Sequence, residues 1–320
     1  MSAWPALLAL LVAGAGPDDP PTAKPPATVA AIREARDRQL VRDLVAYLKA
    51  NPEAADRDEA YLLLFDTAID REWFAEAEPV AAGYLGAQAD GPVAPLARIV
   101  ATMARANAGE FSTAIETYNQ LLAGLDPAEN AEFAVSFAEN LGIAALTAGQ
   151  HDVARQVYAG LLKALPDNPA AQQKATGELA RLDQVGQAAP ELTGNDIAGK
   201  PIKLSDYRGK YVLIDYWATW CAPCVGDIPG IEAAYAKYRA KGLEVVSVSL
   251  DDTREAAADF VAARKLPWRQ VHNATGGVDW LEAFHVQSIP CRVLVGPDGK
   301  VVRLEPRGDR LDKILAGLIR

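Results

Sequence analysis

Two cysteines separated by two residues, in Trp220-Cys221-Ala222-Pro223-Cys224, are the residues of this chain best suited to carry chemistry. They follow the apolar run Tyr211-Val212-Leu213-Ile214-Asp215-Tyr216-Trp217-Ala218, which reads as a buried strand. They precede a stretch through Lys241 that reads as a helix. A thiol at a helix N-terminus meets unpaired N–H groups and the positive end of the helix dipole, and both favour the thiolate. Cys221 is then a nucleophile toward disulfides, and Cys224 lies within reach to resolve the mixed disulfide. Pro223 fixes φ inside the motif and withholds one N–H, which constrains the turn. The competing reading of the pair is a zinc site. Such a site normally needs four ligands, and the sequence holds no second Cys-X-X-Cys and no His pair.

The elements that must position this pair belong to a chain of 320 residues, long enough for two domains, with half of its residues hydrophobic. A net charge of −10 argues against a nucleic-acid partner, because no basic stripe is present to neutralise phosphates. Three cysteines are too few for a disulfide-stapled fold. At the N-terminus, Leu7 to Val12 form a short apolar core and Ala13-Gly14-Ala15 supplies small residues for cleavage. A Pro/Asp-rich spacer follows from Pro17 to Pro26. This reads as a signal peptide over residues 1–16, although no Lys or Arg precedes the apolar core; a disordered apolar tail or an uncleaved anchor is the alternative. The expectation is an exported, periplasmic or extracytoplasmic chain with no stable membrane span after cleavage, since no other segment approaches transmembrane length.

Residues 27–185 are alanine-rich, with Leu, Tyr and charged residues at helical spacing. Two stretches superpose at an offset of 40 residues: Ala108/Ala148, Gly109/Gly149, Ala114/Ala154, Tyr118/Tyr158, Leu121/Leu161 and Leu122/Leu162 coincide. Each ends in a helix-stopping segment, Gly124-Leu125-Asp126-Pro127 and Leu165-Pro166-Asp167-Asn168-Pro169. Physically this is a helix–turn–helix unit: the glycine takes the turn, the small alanine lets the second helix pack closely, and the tyrosine fills the groove one turn later. The pattern resembles the tetratricopeptide repeat, with a period longer than its usual length of about 34 residues. A degenerate earlier unit runs from Tyr61 to Leu85, where Trp73-Phe74 and Ala77 echo it. Stacked helix pairs of this kind usually present a concave surface to peptides or partner proteins.

After a linker, Gly186-Gln187-Ala188-Ala189-Pro190, residues 190–320 change character. A hairpin signal spans Asn195 to Leu204, followed by the strand and helix around the cysteines and a second apolar strand from Leu243 to Leu250. Such runs suit a sheet covered on both faces. A helix follows from Arg254 to Lys265, then a short helical insertion from Asp279 to Phe284. A hairpin comes next, Arg292 to Val295 and Val301 to Leu304, and a last helix from Asp309 to Ile319. The fold class is therefore an α-helical repeat domain followed by an α/β sandwich with a mixed sheet.

Residues 190–320 resemble the thioredoxin superfamily, in particular exported thiol–disulfide oxidoreductases of the TlpA/ResA type. The resemblance rests on Leu204-Ser205-Asp206-Tyr207-Arg208-Gly209-Lys210, on the block from Leu213 to Cys224, and on Ile289-Pro290. It implies a thioredoxin fold, protein disulfides or dithiols as substrates, an upstream electron donor, and neither cofactor nor metal. Asp215 matches the buried acid that accepts the proton of the resolving thiol; a carboxylate on an otherwise apolar strand is costly unless paired or used, and burial is expected to raise its pKa. Trp220 matches the tryptophan that flanks and shields the disulfide, whereas Trp217 reads as packing. Pro290 matches the family's cis-proline, with Ile289 offering its backbone to a substrate chain beside Cys221. A proline at Pro223 goes with more reducing members.

Cys291 departs from the pattern, which usually has threonine or another small residue there. It reads as a small buried residue, or as a third thiol near the active site that forms an alternative disulfide, is oxidised, or joins Cys221 and Cys224 on a soft metal. His285 is a weak candidate metal ligand, and His151 and His272 read as surface or loop residues. Two other functions compete with the oxidoreductase. One is a copper-handling or assembly protein that uses Cys221, Cys224 and His285. The other is a peroxiredoxin-type peroxidase, for which the required Pro-X-X-X-Thr-X-X-Cys is absent, since Ile214 and Ala218 stand at its Pro and Thr positions.

Overall fold

The structure is a computed structural model that describes residues 28–124, 126, 130–273, 278–306 and 310–319. The candidate signal peptide, Leu125, Pro127 and Asp309 lie outside the described residues. The alanine-rich part forms α1 (Val29–Ala50), α2 (Arg57–Asp70), α3 (Phe74–Ala87), α4 (Ala94–Ala108), α5 (Phe111–Ala123), α6 (Ala131–Thr147), α7 (His151–Ala164) and α8 (Pro169–Asp183). Side-chain caps start the outer helices. Thr28 Oγ1 accepts from Ala31 N at 3.1 Å, and Asn168 Oδ1 accepts from Ala171 N at 3.0 Å, with Pro169 in the first turn of α8.

Helices α2/α3, α4/α5 and α6/α7 double back through short turns, and α2, α4, α6 and α8 pack in a row while α5 packs on α7. Gly109 and Gly149 turn the second and third pairs in the left-handed region, at φ 87° and 74°. Ala114 and Ala154 are fully buried where the second helices approach their neighbours, and Tyr118 and Tyr158 fill the grooves. The hydroxyl of Tyr118 donates to Val157 O at 3.2 Å, tying one pair to the next. Gly142 makes room for Tyr158, since a Cβ there would lie within 2.2 Å of its hydroxyl.

The second part begins with a two-stranded hairpin, β1 (Thr193–Asn195) and β2 (Pro201–Lys203). A five-stranded sheet follows, built from β3 (Tyr211–Trp217), β4 (Leu243–Ser249), β5 (Arg269–His272), β6 (Cys291–Val295) and β7 (Val301–Leu304) in the order β5-β4-β3-β6-β7. Strands β3, β4 and β5 are parallel, while β6 and β7 join antiparallel. The helices are α9 (Ala222–Tyr238), α10 (Arg254–Arg264), α11 (Trp280–Ala283) and α12 (Arg310–Leu318). The stretch expected to run as one helix to Lys241 ends its α-helix at Tyr238 and closes with a 3₁₀ turn over Arg239–Lys241. Strand β5 has no counterpart among the sequence-based expectations.

The sheet is covered on both faces, as its apolar runs require, but by different parts of the chain. Leu213, Trp217, Val245 and Leu294 face one core with α9 and α12. Val212, Ile214, Tyr216, Val246 and Val293 face the other, which is continuous with the core of α4 to α8. The segment read as a linker is laid along β7: Gly186 N donates to Val301 O at 2.8 Å and Ala189 N to Gly299 O at 2.9 Å. The helical part thus serves as a layer of the α/β sandwich.

Candidate active site

Cys221 is the N-cap of α9, reached directly from the C-terminal end of β3, so the buried strand delivers the thiol to the helix terminus. Cys221 and Cys224 are joined in a disulfide with their Cα atoms 5.3 Å apart, and Cys224 N donates to Cys221 Sγ at 3.3 Å. One of the orphan N–H groups of the helix is thus aimed at Cys221 Sγ, an arrangement that favours a thiolate there. Both residues are buried, Cys221 at 6 % exposure and Cys224 at 2 %. Pro223 sits in the first turn, where its missing N–H costs no helical bond.

Trp220, read as a shield over the disulfide, is 64 % exposed: its ring stands in solvent beside Cys221. Trp217 is buried against Phe260, ring centroids 5.1 Å apart, and donates Nε1–H to Gln270 at 3.1 Å, a packing role. The Ile289–Pro290 peptide bond is cis, and Ile289 packs against the same core as Cys221 and Cys224.

Asp215 alternates with Leu213 and Trp217 on β3 and so lies on the face covered by α9. It is 3 % exposed and paired. Arg292 is its cross-strand partner on β6, and Arg292 Nε donates to Asp215 Oδ1 at 2.8 Å. Ser247 Oγ donates to Asp215 Oδ2 at 3.2 Å and accepts from Trp268 Nε1 at 2.8 Å. The second guanidinium arm stands 3.0 Å from Asp227 Oδ2 on α9, one turn beyond Cys224. Burial opposes the charge of Arg292, but Asp215 and Asp227 outweigh it and hold its pKa above the ordinary arginine value. The acid singled out in the sequence is therefore half of a buried ion pair. Arg292 escaped sequence reading; the signal was a lone charge at an inward position of a predicted strand.

Cys291 is buried at 1 % exposure, and its cross-strand partner is Tyr216, on the face opposite Asp215 and the disulfide. This overturns its reading as a third thiol sharing a disulfide or a metal with Cys221 and Cys224: the alternation of β6 turns it through the sheet, into the contact with α8. His285 is exposed at φ 52°. Among the described residues no group of three or more His, Cys, Asp or Glu is placed to hold a metal. His272, read as a loop residue, is buried on β5 with Nε2 2.7 Å from Asp251 O. His151, read the same way, is the half-buried first residue of α7.

Residues 185–304 match the AhpC/TSA family. The thiol–disulfide oxidoreductase ResA of Bacillus thuringiensis subsp. konkukian is 32 % identical over 127 residues, covering 40 % of this chain and 72 % of that protein. The chain belongs to the ResA family of thiol–disulfide oxidoreductases. The Bacillus subtilis ResA is 33 % identical over 119 residues, 37 % of this chain and 65 % of its own length. The thioredoxin domain of a Bacteroides vulgatus thiol–disulfide oxidoreductase is 34 % identical over 42 % of this chain and 98 % of its own, with a TM-score of 0.40. The thioredoxin-fold part is thus a thiol–disulfide oxidoreductase domain, and the helical part lies outside the family match.

Proposed function

We propose that the chain reduces disulfides of exported proteins through the Cys221–Cys224 dithiol, with residues 190–320 as the catalytic domain and residues 27–185 as a tetratricopeptide-like domain that binds partners. The observation that carries the reading is Cys221 at the N-cap of α9, with Cys224 N directed at its sulfur. The Cys221 thiolate attacks a partner disulfide and one partner sulfur leaves as a thiolate. Cys224 then attacks Cys221 Sγ, forming the Cys221–Cys224 disulfide and releasing the second partner thiol. Two electrons pass to the partner, and an upstream dithiol donor restores the pair.

Asp215 takes the Cys224 proton in this scheme. A carboxylate in an ion pair accepts a proton only at the expense of that pair, so Arg292 sets how readily Asp215 does so. Ile289 and Pro290 receive the partner backbone, and the exposed Trp220 ring offers it an apolar face beside the sulfur. On the helical side, a groove of about 580 Å³ lined by Ile69, Phe74, Ile99, Met103, Phe137 and Ile143 supports partner binding. Export is supported by the apolar core and small residues before Pro17, and among the described residues no helix is long and apolar enough to cross a membrane.

The test is the reduction potential of the Cys221–Cys224 pair together with trapping by Cys224→Ser. A potential near that of thioredoxin, about −270 mV, with partners captured as mixed disulfides supports a reductase. A potential near that of DsbA, about −120 mV, makes the chain an oxidant instead.

A further inference from the structure

Helix α8 holds the segment that carries Ile289 and Pro290 at four places. Gln184, just past its C-terminus, donates Nε2–H to Ala283 O at 2.8 Å. Gln287 Nε2 donates to Gln173 O at 2.7 Å. Lys174 Nζ stands 3.5 Å from Ser288 Oγ, which itself donates to Glu139 of α6 at 3.1 Å. Arg181 donates to Cys291 Sγ at 2.8 Å. Residues 173, 174, 177, 181 and 184 fall on one side of the helix by their spacing. Gly177 lies within this stripe: a Cβ there would come within 2.0 Å of Gln287 Nε2, so the bare helix surface is what lets Gln287 lie across α8.

We propose that α8 is a positioning element of the active site: the helical domain fixes the segment 283–291 and thereby the groove that receives a partner polypeptide. This rests on the reading that Ile289 and Pro290 contact the partner. The attacking sulfur and its helix lie on the opposite side of the sheet from α8. Loosening the clamp therefore acts on capture of a polypeptide more than on sulfur chemistry, and separates a protein disulfide from a small one.

Two variants of the full-length chain test it without leaving a buried charge unpaired. Gly177→Ala improves helix propensity yet expels Gln287, and Gln287→Ala removes the same bond from the exposed side. Each is expected to raise KM for insulin disulfides about five-fold at unchanged kcat. The reaction of the reduced pair with glutathione disulfide should stay within about two-fold of wild type. The double variant should lose no more than either single one, because both remove one interaction. Amide exchange of residues 283–291 should accelerate in each. Unchanged exchange and KM in both variants, or an equal loss toward insulin and glutathione disulfide, overturns the clamp. A wild-type chain that reduces neither compound refutes the reductase reading instead, while amide exchange still decides whether α8 holds the segment.

Discussion

Consecutive residues of β6 serve opposite faces of one sheet, and each face holds a buried arginine among carboxylates. On the face of α9, Arg292 bridges Asp215 and Asp227, and the Asp227 side chain keeps 32 % of its surface in solvent one turn from Cys224. On the other face, Arg181 donates to Glu178 at 2.7 Å, to Glu305 at 2.6 Å and to Cys291, and all four side chains are buried. Burial opposes the charge of Arg181, but Cys291, Glu305 and Glu178 overcome it and hold its pKa well above the ordinary value. The first cluster reaches water through Asp227, one turn from Cys224, and contains the acid proposed above to take the Cys224 proton. The second is buried between α8 and the sheet, on the face away from the cysteine pair. The cysteines follow the same division: Cys221, proposed above to attack, lies on the first face with Cys224, and Cys291 accepts from an arginine of the helical part on the second.

The largest expected effect contrasts the two sulfurs. Cys221→Ser should abolish turnover of insulin and glutathione disulfide to background, whereas Cys291→Ser, whose hydroxyl still accepts from Arg181, should keep exchange of the small disulfide. Equal losses would break the division. The two arginines come next. Removing one partner of a buried pair costs about 3–5 kcal/mol, because the remaining charge is stranded. Arg181→Met strands two buried carboxylates and belongs at the upper end of that range in urea unfolding. Arg292→Met strands Asp215 beside a half-solvated Asp227 and should cost less. Only Arg292→Met should also move the pH–rate profile, because only Arg292 touches the acid proposed to take the Cys224 proton. A shift of that profile in both variants would show that the sealed cluster communicates with the chemistry.

These contrasts mark where sequence and structure part. The reactive face was legible because its signals are local: the Cys-X-X-Cys after an apolar run, Ile289-Pro290, and one carboxylate within a strand. The helix pairs were legible for the same reason, through glycine, alanine and tyrosine recurring at one offset. Strand β5 was not, since Arg269-Gln270-Val271-His272 has no apolar run, and its pairing with β4 defines it. The apolar runs of β3 and β4 required cover on both faces without saying that the helical domain provides it. Arg292 and Arg181 gain meaning only through partners 77 and 110 residues away in sequence, Asp215 and Cys291.

A smaller effect compares the two repeat tyrosines. Burial raises the pKa of both hydroxyls. Tyr118 donates to Val157 O, whereas the buried Tyr158 hydroxyl has no hydrogen-bond partner among the described residues. Tyr118→Phe should therefore cost about 1 kcal/mol, and Tyr158→Phe should be neutral or slightly stabilising, as read from urea midpoints. A costly Tyr158→Phe would mean that this hydroxyl does hold the contact between α6 and α7.

The smallest effect is a pH dependence of the sealed face. His151 opens α7, and its Nε2 is buried without a hydrogen-bond partner among the described residues. Burial lowers its pKa below the ordinary 6.5, Arg303 on β7 lowers it further, and Asp152 partly opposes both. The unfolded chain then takes up the proton more readily than the folded one, so stability rises with pH across this interval. The contribution is fully present above about pH 6.5 and is lost as pH falls through the lower folded value. His151→Gln should flatten that slope, seen by comparing urea midpoints at pH 7.5 and 5. Because His151 and Arg303 come from opposite sides of the contact between the helical part and the sheet, the acid loss should appear as faster amide exchange in α7 and β7. Amides of α9 should not respond. Acid-induced exchange that began in α9 instead would place the titration on the reactive face and reverse the assignment of which face responds to pH.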